Sequence, residues 1–486
     1  MARMYLNGEW VDAASGGTLE VKNPSDGSTI DTVPAGDTTD AQAAVDSAKA
    51  ALPSWANTAP DERAALLHKG VSLVKEQIKD LAALLTREQG KPFMESMGEL
   101  THFLHGVEFY IGMASKIRGS QVPLPPSMNP NSYGVIMKRP VGVCVGIIPW
   151  NFPITLMGTK VGPALIAGNT IIIKPASTTP LTTLKIIGLL NEAGIPPGVL
   201  NCVTGSGSTV GAALITNPDV RRVALTGSSE TGKKVMELAG PDFKRITLEL
   251  GGSDPMIVCP DADLGKAVSG CMIGRYWNAG QACLAVKRLY LFEDIYDEFL
   301  EKLVAKVSRY EPGDGMSKAE KPRIRMGPLH TAFQREEIEG QLSDATAKGA
   351  KVLVGGKRPD GSEFENGHFF EPSVVTDVPE DSKLVTEEVF GPVLPVFKVS
   401  ELDEAFAKAN ASQWGLGASI WTNNMKYANQ AAREIQSGML WVNQLHFGYD
   451  EMPFGGVKAS GIGHEHGPEA LEYYLEPKSV VFGGLD

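Results

Sequence analysis

The sequence predicts an α/β protein made of two doubly wound parallel-sheet units plus a small separate β element. Three observations carry this. From 141 to 252, short apolar runs rich in Val and Ile alternate with stretches of helical periodicity, the pattern of strands covered by helices on both faces. From 253 to 465 a similar alternation resumes after GGSDP. Two segments, 119–140 and the tail Tyr473–Phe482, read as extended chain and belong to neither unit.

Residues 1–118 begin polar and turn-rich, with a hairpin expected at YLNGEW. Thr39–Ala56 and Pro60–Gln89 carry apolar residues at three- and four-residue spacing and predict helices. Asp61 is placed to cap the second, and Pro34-Ala35-Gly36 and Pro53 punctuate the segment. Residues 119–140 contain the Pro-rich SQVPLPPSMNPNSYG, which cannot continue a helix, and end in the strand-like YGVIMKRP. Val141–Ile148 then predicts a buried strand, with a helix after Pro153. Strands follow at Thr170–Lys174, Val199–Val203, Arg222–Leu225 and Arg245–Leu250. The helices between them are predicted at Leu181–Ala193, Ser208–Thr216 and Glu230–Leu238. In the second unit, helices at Ile295–Tyr310 and Ala332–Lys348 accompany strands such as Val352–Val354. A doubly wound sheet binds its ligands at the carboxyl ends of its strands.

Composition removes several functional classes. The 486-residue chain has a net charge of −12, against the basic face that a nucleic-acid partner requires. The longest strongly apolar stretch, Val141–Ile148, is too short to span a bilayer. The N-terminus has no apolar core of signal-peptide length. The five cysteines are odd in number and lack metal-ligand spacing. No disulfide framework, no metal site and a reducing, cytoplasmic compartment are expected.

Two glycine patterns follow strands and open helices. One is Gly205-Ser-Gly207-Ser-Thr-Val-Gly211, whose third Gly falls one position late for a dinucleotide fingerprint. The other, Gly227-Ser-Ser-Glu-Thr-Gly232-Lys233-Lys234, nearly matches a nucleotide-triphosphate loop, but Lys234 replaces the hydroxyl residue that would hold Mg²⁺. Each is either a plain βα turn or an anion site at a helix N-terminus. Among the cysteines, Cys144, Cys202, Cys259 and Cys271 read as small core residues. Cys283 lies in the polar, Gly-containing bend Trp277-Asn278-Ala279-Gly280-Gln281-Ala282-Cys283, where a thiol can be exposed and its thiolate stabilised by backbone N–H groups.

Seven motifs together are specific where each alone is not. They are Pro149-Trp150-Asn151-Phe152-Pro153, Lys174-Pro175-Ala176-Ser177, Leu225-Thr226-Gly227-Ser228, Leu248-Glu249-Leu250-Gly251-Gly252, Gly280-Gln281-Ala282-Cys283, Glu387-Glu388-Val389-Phe390-Gly391-Pro392 and Pro453-Phe454-Gly455-Gly456. In this order and spacing the chain resembles the aldehyde dehydrogenase superfamily along essentially its whole length. The resemblance implies two Rossmann-like domains and an oligomerisation arm. Residues 1–118 and 141–252 would bind NAD(P), 253–465 would carry catalysis, and 119–140 with 466–486 would form the arm of a homodimer or homotetramer.

The resemblance also implies roles. Cys283 would attack the aldehyde, and the Asn151 amide and Cys283 N–H would hold the resulting oxyanion. Hydride transfer would leave a thioester, and Glu249 would activate the water that hydrolyses it. A carboxylate in the apolar ITLELGG needs such a job or a partner. Members that transfer the acyl group to coenzyme A generally lack this base, so water is the expected acceptor. Lys174, Gly207, Gly227, Ser228 and Glu388 would contact the dinucleotide, Phe390 would flank the nicotinamide, and Ile147, Pro149 and Trp150 would line the cleft. Strictly NAD-using members often carry Glu where Ser177 stands. Either NADP or NAD is expected, with NADP accepted because Ser177 removes a charge that would repel a 2′-phosphate.

Substrate is less legible. Succinate-semialdehyde members commonly place Arg where Trp277 stands, so a small hydroxyaldehyde or a general aliphatic or aromatic aldehyde is the first expectation and a semialdehyde the alternative. Thr155, Trp277, His446, Phe447 and Tyr449 are the candidate pocket residues, with Tyr276 and Thr159 as further contributors and Arg275 set back from them.

Overall fold

A computed structural model of the chain describes residues 2–125, 132–317 and 324–483. The expected N-terminal hairpin pairs β1 (Met4–Leu6) with β2 (Glu9–Val11). Asn7 and Gly8 turn it at φ 52° and 84°, the left-handed pair that matches strand twist in a two-residue turn. A second hairpin, β3 (Thr18–Lys22) and β4 (Thr29–Pro34), follows. α1 (Thr38–Asn57) contains Pro53 within its length rather than ending there, and Asp37 caps it. The single helix expected over 60–89 is two, α2 (Pro60–Glu76) and α3 (Ile78–Gln89), parted at Gln77. Asp61 is not the cap of α2. Ala59 holds that position, and Asp61 lies in the first turn, where its charge suits the helix dipole. α4 (Phe93–Met113), which apolar spacing did not single out, completes the helical segment.

β5 (Ser120–Pro123) and β6 (Tyr133–Pro140) flank the Pro-rich excursion, whose central residues, 126–131, lie outside the described ones. From here strands and helices alternate as expected. They run β7 (Val143–Ile147), α5 (Pro153–Ile166), β8 (Thr170–Lys174), α6 (Leu181–Glu192) and β9 (Leu200–Cys202). α7 (Ala212–Thr216), β10 (Val220–Thr226), α8 (Ser229–Ala239) and β11 (Arg245–Glu249) complete the series. The short helix expected at Ser208 starts instead with a wide π turn over Gly207–Gly211.

The first sheet runs β2-β1-β9-β8-β7-β10-β11, with a last edge strand, here called β23, at Gly461–Ile462, after the unnumbered strands of the second sheet. Its five central strands are parallel. Chain order reverses between β7 and β10, which makes the crevice beyond their carboxyl ends the natural ligand site. Alternate residues of the central strands point to opposite faces. Cys144, Ile171 and Ile173 join one core with α2–α6, and Val143, Val145 and Ile172 join another with α1, α7 and α8.

The second unit begins with β12 (Asp254–Val258), α9 (Leu264–Tyr276), β13 (Val286–Phe292) and α10 (Glu293–Val307). Its seven-stranded sheet adds Lys351–Val354, Ser373–Thr376, Val393–Val399, Gly417–Trp421 and Met439–Val442 around the same core, and only its first edge strand, Lys351–Val354, is antiparallel. The helix expected at Ala332–Lys348 spans Ala332–Ala347. β23 crosses back to pair with β11, so the segment 253–465 is not confined to one sheet. The two segments that fitted neither unit find each other. The tail strand Leu475–Phe482 pairs with β6 along its full length, and β5 lies on β6's other side. Among the described residues no helix is long and apolar enough to cross a membrane.

Candidate active site

The site forms where the two sheets meet end to end. β11 finishes at Glu249, and β12 begins at Asp254 beside Val286, the first residue of β13. Cys283 lies just ahead of β13, so the loop that carries it enters from the amino end of the second sheet and faces the carboxyl ends of the first.

The loop's backbone is unusual. Asn278, Ala279 and Gly280 are all left-handed, with φ of 50°, 54° and 74°. Such a conformation costs a non-glycine residue about 1–2 kcal/mol, so neighbours must hold it. Glu95 accepts from the Asn278 backbone N–H at 2.8 Å, and the Asn278 amide donates to Asn151 O at 3.0 Å and Gln281 O at 3.2 Å. Gln281 donates to Asn278 O and accepts from the His330 N–H. A Cβ on Gly280 would lie 2.4 Å from Gly391 O, so no other residue fits.

Asn151 is tied to the same loop. Its amide donates to Gln281 O at 3.1 Å, while its own carbonyl accepts from the buried Lys91 ammonium at 2.7 Å. Lys91 is neutralised by Glu99 at 2.5 Å. The side chain of Asn151 has two N–H groups and Gln281 uses one, which leaves the other for a ligand.

Cys283 lines an apolar cavity with Phe152, Leu156, Trp277, Phe447 and Phe454. The polar bend read from the sequence allows a stabilised thiolate here. The structure differs: burial pushes the Cys283 thiol up to about 12, Lys287 opposes this, and Asp254, Glu388 and Glu249 add to it.

Glu249 is buried, and among the described residues neither carboxylate oxygen has a hydrogen-bond partner. Burial raises its pKa well above the ordinary value, nearby Glu465 raises it further, and Lys160 opposes both. Lys160 and Glu465 are themselves a buried ion pair at 2.6 Å. Lys160 also donates to Thr226, and Thr159 donates to Glu465 at 2.7 Å. Thr159 thus serves this network and does not line the cavity. Sequence reasoning missed Lys160, although a lone charge in the apolar PITLMGTKVGPALI was a readable signal. Lys160→Met strands Glu465 in the interior and should destabilise the protein by about 3–5 kcal/mol, read as a lower thermal midpoint.

The crevice at the end of β7 and β10 collects the residues that the sequence reading assigned to a dinucleotide. Ile147 and Lys174 end neighbouring strands, and burial lowers the Lys174 pKa to about 8. Ser177 donates to Gly205 O at 3.0 Å, which seats it on the first glycine turn. Gly207 is exposed, and no atom would meet a Cβ added there. Gly227 donates to Glu249 O, and Ser228 caps α8 while staying exposed. Lys234 of the near-match to a triphosphate loop pairs with Glu230 instead. Trp150, which follows Pro149, stacks on His330 at 4.7 Å and meets the edge of Phe390 at 5.6 Å. Glu388 accepts from Lys287 at 2.8 Å and from the Gly252 N–H at 3.1 Å.

Of the candidate pocket residues, Thr155, Trp277, His446 and Phe447 line the cavity, and Tyr449 does not. Tyr449 is exposed and touches Phe447 edge-on. Tyr276 is also absent from the cavity, because it is fully buried and its hydroxyl donates to Ser373 O. Arg275 is buried as well and donates to Val286 O and Val389 O. Among the described residues no Lys or Arg lines the cavity.

This geometry can be compared with known proteins. The pattern of the aldehyde dehydrogenase family matches residues 10–480. The chain belongs to the aldehyde dehydrogenase family. A glutarate-semialdehyde dehydrogenase of Pseudomonas putida is 40% identical, over 98% of this chain and 96% of its own. An NADP(+) succinate-semialdehyde dehydrogenase of Escherichia coli is 38% identical, over 98% of this chain and 97% of its own. A 3,6-anhydro-L-galactose dehydrogenase solved in complex with NAP superposes with a TM-score of 0.96 at 39% identity, covering 99% of this chain and 100% of that one. As a member of this family the protein is an oxidoreductase that acts on an aldehyde group.

Proposed function

We propose that this aldehyde dehydrogenase oxidises its substrate to the carboxylic acid through a Cys283 thioester, with NADP⁺ or NAD⁺ as oxidant and water as the acyl acceptor. The observation that carries this is the convergence at one sheet end of a cavity-facing thiol, an amide with a spare N–H, and a buried carboxylate without a partner. The S–H bond of Cys283 breaks as its sulfur bonds the carbonyl carbon, and the proton passes to water in the cavity. The free Asn151 N–H and the Cys283 backbone N–H hold the oxyanion of the thiohemiacetal. A bound dinucleotide supplies the hydride acceptor. Glu249 then takes a proton from the water that attacks the thioester, and a raised pKa suits a base working near neutrality. This base favours water over coenzyme A as acceptor.

The crevice fits a dinucleotide: a capped helix N-terminus stands open at Ser228, Trp150 and Phe390 form an aromatic wall, and Glu388 lies at the junction. Ser177 beside the Gly205 turn leaves no carboxylate to repel a 2′-phosphate, so NADP⁺ is the preferred partner. Ser177→Glu should lower kcat/KM for NADP⁺ relative to NAD⁺ by at least about tenfold. Steady-state kinetics with both dinucleotides checks this, and a wild-type enzyme strongly favouring NAD⁺ contradicts it.

The cavity suits a small hydroxyaldehyde or an aliphatic or aromatic aldehyde, since it is walled by Trp277, Phe152 and Phe447 and has no Lys or Arg among the described residues. The names of the two relatives favour a second reading, a dicarboxylic semialdehyde. Dinucleotide reduction with a panel of purified aldehydes separates the two.

The sheet of β5, β6 and the tail strand exposes Tyr133, Met137, Val481 and Phe482, an apolar edge that a second copy would cover. A homodimer or homotetramer assembled through it follows, in the cytoplasm, where its five free thiols stay reduced.

A further inference from the structure

One end of the cavity is built differently from the rest. His102, on α4, and His466 both line it. Behind them lies Asp450, 2% exposed. Asp450 accepts from His466 Nδ1 at 2.7 Å on one oxygen and from His105 Nδ1 at 2.5 Å on the other. Burial opposes its charge, but the imidazoles of His102, His466 and His105 hold it far below the usual carboxylate range. Asp450 is therefore a fixed negative charge whose two oxygens already have donors.

His102 is the third imidazole beside Asp450, in contact with it but beyond an ordinary hydrogen bond. Its Nε2 is buried 3.6 Å from Asp450 Oδ1, too far for a hydrogen bond. With Asp450 on the Nε2 side, the tautomer that carries its proton on Nε2 would leave Nδ1 able to accept a hydrogen bond. The ring edge packs on Phe447 at 5.1 Å, which keeps it in the cavity wall. Among the described residues no Lys or Arg lines the cavity to offset a second anion beside Asp450. An acceptor in an apolar wall, backed by a negative charge, selects a neutral donor and disfavours a carboxylate.

We propose that His102, oriented by Asp450 and His466, recognises a hydroxyl group of the substrate, so that the enzyme takes a hydroxylated aldehyde in preference to its deoxy counterpart or to a dicarboxylic semialdehyde. This rests on the aldehyde-oxidising reading above and adds the chemistry of the far end of the substrate.

The test is kcat/KM for glyceraldehyde, propanal and succinate semialdehyde at saturating dinucleotide, in the wild type, His102→Phe and His102→Gln. The wild type should favour glyceraldehyde over propanal by about tenfold or more, and succinate semialdehyde should be the poorest of the three. His102→Phe keeps the ring and removes the acceptor, so the glyceraldehyde-to-propanal ratio should fall toward one. His102→Gln keeps an acceptor oxygen and should retain a clearly higher ratio than His102→Phe. An unchanged ratio in His102→Phe, equal losses in both variants, or a wild-type preference for succinate semialdehyde overturns the proposal. If the wild type oxidises none of the three, the aldehyde-oxidising reading itself has failed.

Discussion

Cys283→Ala should abolish aldehyde oxidation, lowering kcat by about 10⁴-fold or more, while dinucleotide binding persists. The expectation follows from the cavity. Cys283 lines it, whereas Cys144, Cys202, Cys259 and Cys271 are buried in the two sheets and their helices, where burial also raises each thiol to about 12 or beyond. None of the four can substitute. The loop owes its shape to the Asn278, Gln281 and Gly280 contacts and not to the thiol, so the variant should fold with a stability change below about 1 kcal/mol. Stopped-flow dinucleotide reduction together with fluorescence titration of the dinucleotide distinguishes lost chemistry from lost binding.

Glu249→Gln should lower steady-state kcat by about 10²–10⁴-fold and shift the slow step to thioester hydrolysis. The variant keeps shape and loses the base. Its pH dependence should also change. Because Glu249's pKa is raised, wild-type hydrolysis should climb with pH as the carboxyl ionises above its ordinary range, and Glu249→Gln should flatten that rise. Stability should move the opposite way. A carboxyl that binds its proton more tightly folded than unfolded contributes stability that is lost as pH rises from the ordinary value through the raised one. At alkaline pH the wild type therefore carries the cost of an ionised, partnerless Glu249. The amide removes that cost, so the thermal midpoint of Glu249→Gln should equal or exceed that of the wild type at pH 8. A variant that is both inactive and markedly less stable contradicts this reading.

Much of the architecture was readable because buried parallel strands leave a plain signal. VCVGI and TIIIK are apolar on both faces, since helices cover both. The orphan segments were recognisable, but their mutual pairing was not, because residues 133–140 and 475–482 meet only through three-dimensional closure of the chain. The break at Gln77 was hidden because apolar periodicity continues across it. The motifs placed Cys283, Asn151 and Glu249 together, yet the supports came from elsewhere. Glu95, Lys91 and Glu99 lie on or beside α4, far from the loop in sequence, and no local pattern marks a residue whose role is to hold another's backbone. The apolar surroundings of Cys283 were hidden for a related reason. A polar bend in sequence says nothing of the apolar wall that surrounds it once folded.

The most direct test is the intact mass of Glu249→Gln after mixing with aldehyde and oxidised dinucleotide. The account predicts one reduced dinucleotide per chain in a single burst and a protein heavier by the aldehyde less two hydrogens, with the acyl group on the peptide that contains Cys283. No adduct, an adduct on another cysteine, or turnover continuing at the wild-type rate would contradict it.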